Sequence, residues 1–370
     1  MIRPVGLYVH FPFCAKKCAY CDFASFAGRE KDMTAYVDRL MLEMEARADQ
    51  SLEIATLYLG GGTPSLLPPR EMDRALSALR RHFHFRPDAE CSCECNPGTV
   101  TEEFLSVLWR NGINRLSFGA QAAQGRLLDL LGRIHAWDQV IDSVGMARRA
   151  GFSNINLDLM LGLPTQTLAD VRETLEKALA LAPAHLSCYG LIVEEGTLLH
   201  QMVARGAWQL PDEEEERAMY DLCRDTLAQH GFAQYEISNF ARPGFACRHN
   251  VDCWQRKEYL GLGSAACGFL GNVRYQNPPS LDAYLAGEAA GETVLSPADQ
   301  RFESIMLGLR MTEGLSERAF EEMHGMTLDE AFPGKMDRPI REGLLLRENG
   351  FLRLTRRGMD VQNRVLVEFL

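Results

Sequence analysis

Cys14, Cys18 and Cys21, spaced C-x3-C-x2-C, place three thiolates on one short loop around a common centre. Thiolates select iron-sulfur clusters or zinc. Three ligands from one loop leave one iron of a 4Fe-4S cluster without a protein ligand, open to the amino and carboxylate groups of a bound small molecule. Two alternatives stand beside that reading: a zinc ion completed by a fourth ligand such as His10, and thiols that are simply buried. Structural zinc usually takes paired C-x2-C or Cys/His halves, which weighs against the first. The chain has 11 cysteines, an odd number, and no secretory signal, so thiolate ligation in a reducing compartment explains them better than disulfides. Cys91, Cys93 and Cys95 alternate on one strand face, opposite Glu94. They could ligate a second metal, but small hydrophobes packed beneath helices explain them better.

A second constellation follows the first. Gly60-Gly61-Gly62-Thr63-Pro64 ends a β-rich run, and glycines there let a ligand such as an amino group approach the backbone closely. Glu94, Gln121, Arg133 and Asp158 offer acceptors for an ammonium or sulfonium, a guanidinium for a carboxylate, and acceptors for ribose hydroxyls. Taken one at a time, each also reads as an ordinary salt-bridging residue.

Positioning these groups requires alternating elements. Short β-rich runs at 6–11, 56–60, 90–95, 115–118, 154–160 and 185–189 alternate with helix-period stretches at 34–48, 70–81, 101–109, 137–150 and 168–181. Strand-then-helix repetition predicts parallel strands joined by helical crossovers, an α/β sheet or open barrel. Chemistry then belongs at the C-terminal ends of the strands, where the cysteine loop, GGGTP, ECNPG and GAQ all stand. Past residue 190 the pattern predicts helices at 198–205 and 212–229, a strand at 235–240 and a Gly-rich stretch at 261–271. The acidic run 212–216 reads as a solvated helix N-terminus. From 296 onward, several helices, a β-like 350–354 and a last helix suggest a small, mostly helical, winged-helix-like domain. The Gly/Ala/Pro-rich segment 286–297 suggests domains of 1–290 and 291–370.

A formal net charge of -11 and a pI near 5.4 argue against a general phosphate-tracking surface as its main business, though they allow a local basic patch, and nucleic acid is not an expected partner. No run of about 20 apolar residues is present to cross a bilayer, and the expected location is the cytoplasm.

The segments YVHFPFCAKKCAYCDF, GGGTPS, ECNPG, RLSFGAQ, NLDLMLGLPTQT and YEISNFARPG, in this order, resemble the radical S-adenosylmethionine proteins related to oxygen-independent coproporphyrinogen III oxidase, and within that group the heme chaperones. The resemblance implies a partial (β/α)6 barrel, a 4Fe-4S cluster on Cys14, Cys18 and Cys21, and bound S-adenosylmethionine. It puts Tyr8, Gly61, Gly62, Thr63, Glu94, Gln121, Arg133 and Asp158 at that cofactor, with the Tyr20 backbone and Ile192 beside them. The oxidases carry a further cysteine two residues after the cluster, where this chain has Phe23, and extend well upstream of the first strand; both differences favour the chaperone. Arg248-His249-Asn250-Val251-Asp252-Cys253-Trp254 resembles the H-N-x-x-Y-W segment of the chaperones. It makes His249 a candidate axial ligand of heme and Trp254 a flat apolar face for it. Cys253 replaces the usual tyrosine and is itself a candidate ligand, and Gly263-Ser264 stands where Gly-Pro is more common. The expected partners are heme, apo-hemoprotein acceptors and a second copy of the chain. An oxidase, or an enzyme acting on another porphyrin or small molecule, is the competing reading.

Overall fold

In the computed structural model, which describes residues 2–370, all six predicted strands form and are longer than predicted. They are β1 (Arg3–Phe11), β2 (Leu52–Gly61), β3 (His84–Cys95), β4 (Arg115–Gln121), β5 (Asn154–Leu161) and β6 (His185–Gly190). The six lie side by side in chain order, and each neighbouring pair is parallel. Helices α1 (Met33–Arg47), α2 (Pro69–His82) and α3 (Glu102–Arg110) cross between the first strands. After α4 (Gly125–Leu131), α5 (Trp137–Arg149) and α6 (Leu168–Ala180) complete the crossovers.

Alternation along the strands decides which side is stabilised and which is free for chemistry. Leu7, Val9 and Phe11 of β1, Leu57 and Leu59 of β2, and Leu116 and Phe118 of β4 are buried together with Tyr36, Leu40, Leu76, Phe104, Val140 and Leu175 of the helices. Cys91, Cys93 and Cys95 lie in this same core. Burial pushes the Cys91 and Cys93 thiols up, as expected for small packed hydrophobes. Each fully buried large apolar side chain contributes about 1.5–3 kcal/mol, so the helical side carries the stability. The opposite face shows Tyr58, Glu94, Ser117, Asn156, Asp158 and Ser187. Residues of β2 through β6 line one common cavity, so the sheet curves around that face.

The sheet extends beyond six strands. β7 (Ala233–Glu236) and β8 (Asn239–Ala241) form a hairpin whose second strand pairs antiparallel to β6. The single strand expected at 235–240 is therefore two, because the Glu236 carboxylate accepts the Ser238 N–H (3.0 Å) and folds the chain back. The Gly-rich stretch also becomes sheet. β9 (Tyr259–Leu262) pairs parallel to β1, and β10 (Cys267–Leu270), β11 (Val273–Gln276) and β12 (Gly291–Val294) continue antiparallel, giving a 12-stranded open sheet. The buried Tyr275 hydroxyl bonds both the N–H and the carbonyl of Gly261 (2.9 and 3.1 Å), and a Cβ at Gly261 would stand 1.9 Å from the Cys267 carbonyl oxygen.

The C-terminal region has its own core, Ile305, Leu309, Phe320, Leu328, Leu345, Leu352 and Phe369 among others, around a three-stranded antiparallel sheet. This is the expected mostly helical, winged-helix-like arrangement. Among the described residues no helix is long and apolar enough to cross a membrane.

β9 is locked to β1 through Gly263, at φ +95°. Its N–H donates to buried Glu43 (2.9 Å), and the next N–H, of Ser264, donates to the Tyr36 hydroxyl (3.1 Å), which donates to the His10 carbonyl (2.6 Å). A proline at 264 would lack that N–H. A Cβ at 263 would stand 2.4 Å from the Tyr36 hydroxyl oxygen and 2.5 Å from the His10 carbonyl oxygen. Gly263→Ala is expected to destabilise the fold by about 2–4 kcal/mol, read as a lowered urea midpoint with an unchanged slope.

Candidate functional site

The cysteine loop leaves β1 and is pinned at several points. Phe13–Cys14 pairs with Phe26–Ala27, the Phe26 N–H donates to the Pro12 carbonyl (2.7 Å), and Ala19 bonds Leu131 at the end of α4 (2.9 Å). The Leu199 N–H, in α7 (Leu198–Ala204), donates to the Ala19 carbonyl (2.8 Å). His10 reaches across to the Ala24 carbonyl (2.9 Å) through Nε2. A carbonyl only accepts, so Nε2 carries the proton and Nδ1 accepts from the Tyr8 hydroxyl (2.9 Å). Burial holds His10 below its usual pKa, in agreement with a neutral ring. Both nitrogens are therefore committed to shaping the loop, which removes His10 as the fourth ligand of a zinc site. Tyr8, expected at the cofactor, is buried beside His10 and is not among the residues that line the cavity described below. Burial first, and then the neighbouring Cys18 and Cys14 thiols, raise the pKa of Cys21.

A polar chain ties the loop to the strand ends. Thr63 Oγ1 donates to Cys14 Sγ (3.7 Å) and accepts from Asn96 Nδ2 (3.0 Å). Asn96 Oδ1 accepts from Arg133 Nη2 (2.7 Å), which also donates to the Gly119 carbonyl (2.8 Å), while Nη1 donates to Cys18 Sγ (3.5 Å). Arg133 is placed by α4, a helix the periodicity did not reveal. Gly132 closes it in the left-handed region at φ +73°, and the Arg133 N–H caps the Leu128 carbonyl (2.9 Å). Gly61, at φ +108°, leaves room for the His10 ring, whose Cε1 would lie 2.4 Å from a Cβ there.

Glu94 and Asp158 share the floor. Glu94 accepts from the Tyr58 hydroxyl (2.9 Å) and the Gly61 N–H (3.2 Å). Burial, reinforced by the Asp158 charge, pushes its pKa up to about 7. Asp158 accepts from Ser117 Oγ (3.0 Å) and Asn156 Nδ2 (2.7 Å). Asn156 Oδ1 accepts from His185 Nδ1 (2.6 Å), so the other nitrogen of that neutral ring accepts from the Tyr235 hydroxyl (2.9 Å).

These groups line one cavity of about 480 Å³ containing Cys14, Cys18, Cys21, Tyr20, Gly61, Gly62, Thr63, Glu94, Gln121, Arg133, Asp158 and Ile192. Gln121 is held at φ +65° where β4 bulges, and its Oε1 and the Nε of Arg133 are buried without a partner. Two carboxylates that repel each other, an unpartnered acceptor and an unpartnered guanidinium donor fit a ligand bearing both a cation and a carboxylate. S-adenosylmethionine has that chemistry, so the residues present fit it. Among the described residues no three His, Cys, Asp or Glu side chains converge tightly enough for a single metal ion, so the three thiols line a wall of the cavity and do not close on one atom. Sequence reasoning passed over Tyr58, Asn96, Ser117 and Asn156. Their period-two spacing with Glu94 and Asp158 on the polar strand faces was the available signal.

The heme candidates do not meet. After α8 (Glu213–Gln229), helix α9 (Arg248–Trp254) turns its first residues toward the cavity floor. There His249 is buried, stacks on Tyr58 (5.2 Å) and bonds Thr56 Oγ1 through Nδ1 (2.9 Å), and burial holds its pKa near 4. Asn250 lines the cavity, whereas Trp254 lines a separate groove against the C-terminal region. Cys253 is half-buried, its thiol pushed up to about 12 by burial. The face expected from the H-N-x-x-C-W segment is divided, because one turn of helix separates His249 from Cys253 and Trp254 and the ends meet different surroundings.

The raised Glu94 pKa sets a pH dependence. The folded chain holds this proton more tightly than the unfolded chain, whose carboxyl titrates near 4.5. The stabilisation is therefore full below pH 4.5 and lost as pH rises through about 7. At about 1.4 kcal/mol per pH unit the loss is roughly 3 kcal/mol. Urea titrations at pH 5 and pH 8 are expected to show this drop in the parent and its absence in Glu94→Gln; equal drops in both would disprove the assignment.

The radical SAM superfamily profile matches residues 8–178, and the HemN C-terminal domain profile matches 295–361. The chain is 35% identical to heme chaperone HemW of Lactococcus lactis, over 100% of this chain and 98% of that protein. It is 33% identical to heme chaperone HemW of Escherichia coli, over 100% and 99%. The solved structure of coproporphyrinogen III oxidase (HemN) from Escherichia coli, a radical SAM enzyme, superposes with a TM-score of 0.86 at 25% identity, covering 100% of this chain and 90% of that one. By its full-length relatives and its radical SAM domain, this chain belongs to the heme chaperone HemW family of radical SAM proteins.

Proposed function

We propose that the protein is a heme chaperone that holds a 4Fe-4S cluster on Cys14, Cys18 and Cys21, binds S-adenosylmethionine beside it, and passes heme to apo-hemoproteins. The observation supporting the cofactor assignment is the single cavity on which the three thiols, Glu94, Asp158, Gln121 and Arg133 all open. When bound, the two cofactors supply one-electron chemistry. Gly61, Gly62 and Thr63 form the wall beside the loop, Glu94 and Asp158 supply negative charge for an ammonium and acceptors for ribose hydroxyls, and Tyr20 and Ile192 border the mouth. Arg133 is already shared among Cys18, Asn96 and Gly119, so on our reading it meets a carboxylate while buttressing the cluster loop.

Phe23, 61% exposed at the mouth of the cavity, supplies an apolar surface where the oxidases carry a cysteine. That substitution favours the chaperone over decarboxylation. The backbone shared with the oxidase keeps the second reading in play. Heme iron reaches His249 only if α9 leaves its place against Thr56 and Tyr58. The acceptor hemoprotein, a second copy of the chain and a cytoplasmic setting belong to the same proposal.

After anaerobic reconstitution the protein is expected to hold about four irons per chain, and Cys18→Ala to lose them. S-adenosylmethionine affinity should rise about tenfold from pH 6 to pH 7.5 as Glu94 ionises, with little change in Glu94→Gln. The same preparation should take up heme and leave coproporphyrinogen unconverted. Turnover of coproporphyrinogen without heme binding would overturn the chaperone in favour of the oxidase.

A further inference from the structure

Arg115 opens β4 and is the largest fully buried side chain among the described residues, 2% exposed. In strand register it lies opposite Ser92 of β3, and Ser117, two residues on, lies opposite Glu94. Arg115 therefore shares the polar face of the sheet with Ser92 and Glu94. It lines the cysteine cavity together with Glu94, Asn156 and Asp158. Its Nε and Nη1 are buried without a hydrogen-bond partner, as is the Oγ of Ser92. The Glu90 carboxylate, on the same strand as Ser92, accepts elsewhere, from the His249 N–H (3.2 Å) and the Cys247 thiol (3.5 Å).

A guanidinium removed from water with nitrogens left unbonded is costly, and a position that served packing alone would hold an apolar side chain. The charge acts instead through space. Glu94 is faced by Tyr8 of β1, Tyr58 of β2, Cys93 of its own strand, Asp158 of β5 and Tyr189 of β6. Burial raises the three tyrosines and the thiol, so they stay neutral where a carboxyl titrates. Asp158 adds like charge, and Arg115 opposes it by pulling the Glu94 pKa down. Arg115 is itself faced by Glu90, Cys247, Tyr58, Tyr235, His185 and His249. Burial keeps that thiol, those phenols and both imidazoles neutral, so none of them adds a cation. Arg133, the other guanidinium on the cavity, is bonded to Cys18, Asn96 and Gly119.

We propose that Arg115 is a positioning residue of the cofactor site: a guanidinium in the floor whose field keeps Glu94 charged near neutral pH and so sets the pH at which the cavity accepts a cation. The cation is the ammonium or sulfonium of S-adenosylmethionine, so this deepens the cofactor reading and rests on it for the ligand. A direct ion pair would satisfy Glu94 and leave little for an incoming cation. A guanidinium that acts through space lowers the cost of the carboxylate's charge without covering its oxygens. The same field, returned by Glu90 and Glu94, offsets the cost of burying Arg115.

The test is a pair of pH profiles of the full chain, the urea midpoint and the S-adenosylmethionine affinity after reconstitution. They are compared in the parent, Arg115→Gln, Arg115→Met and Arg115→Lys, each alone and combined with Glu94→Gln, with folding checked by circular dichroism. In the parent the loss of stability should level off near pH 7, where Glu94 has ionised. In Arg115→Gln and Arg115→Met it should level off about one pH unit higher, and S-adenosylmethionine affinity at pH 7 should fall about fivefold. Arg115→Lys keeps the charge and should match the parent. Drift from His185 and His249 persists in the Glu94→Gln background and is subtracted there. A neutral variant that folds and keeps the parent's profile would overturn the proposal, as would a lysine variant that loses it. If both neutral variants fail to fold, the lysine profile decides. Urea profiles that shift as expected while the parent binds no S-adenosylmethionine would sink the cofactor reading and leave the hold of Arg115 on Glu94 standing.

Discussion

The guanidinium of Arg133 donates to a carbonyl, an amide oxygen and a cysteine sulfur at once, and the site is a single object because of it. Through Asn96 and Thr63 it connects Cys18 to Cys14, so the loop that presents the thiols and the strand ends that present Glu94 and Asp158 cannot move independently. A buried arginine without such partners would be strongly destabilising. Here three of its five N–H groups hold the walls, and its Nε is buried without a partner, as is the side-chain oxygen of Gln121 on the same cavity. The structure is thus rigid where it positions the cysteines and unsatisfied where a ligand would complete it.

The division of the sheet into two faces makes this affordable. Helices on one side bury a continuous apolar layer, cysteines included, and supply the folding free energy. The other side can then carry tyrosines, carboxylates, a histidine and asparagines in a chain of hydrogen bonds from Asp158 to Tyr235. Beside that chain Glu94, bonded instead to Tyr58 and the Gly61 N–H, is the group left in tension. It is buried beside Asp158, so its proton is favoured until a cation arrives.

Helix α9 joins the two halves of the molecule. Its first turn inserts His249 against Tyr58 and Thr56, and its last residues meet the C-terminal region, where Arg256 and Glu303 bond across the seam. A segment that reads as one motif therefore serves two environments, a polar floor at one end and an apolar groove at the other.

The cysteine spacing, the six strand-helix units and the loops that follow the strands were legible in the sequence because each is a local pattern. Ligand spacing, side-chain periodicity and glycine placement act over a few residues and survive in one dimension. Glu94 and Asp158 could be singled out for the same reason, as polar residues alternating within apolar strands. What the tertiary structure alone decided depended on contacts between distant segments. His10 became a support of the loop because the Ala24 carbonyl folds back onto its ring, with the Tyr8 hydroxyl bonded to the other ring nitrogen. The strand at 235–240 became a hairpin through a side chain accepting from the backbone, and the Gly-rich stretch became sheet because Gly261 lets the Cys267 backbone, and Gly268 the Tyr275 ring, pack where a side chain would stand. The parting of His249 from Trp254 follows from which surfaces flank α9. No local spacing encodes that, because burial and hydrogen-bond partners are properties of the packed chain.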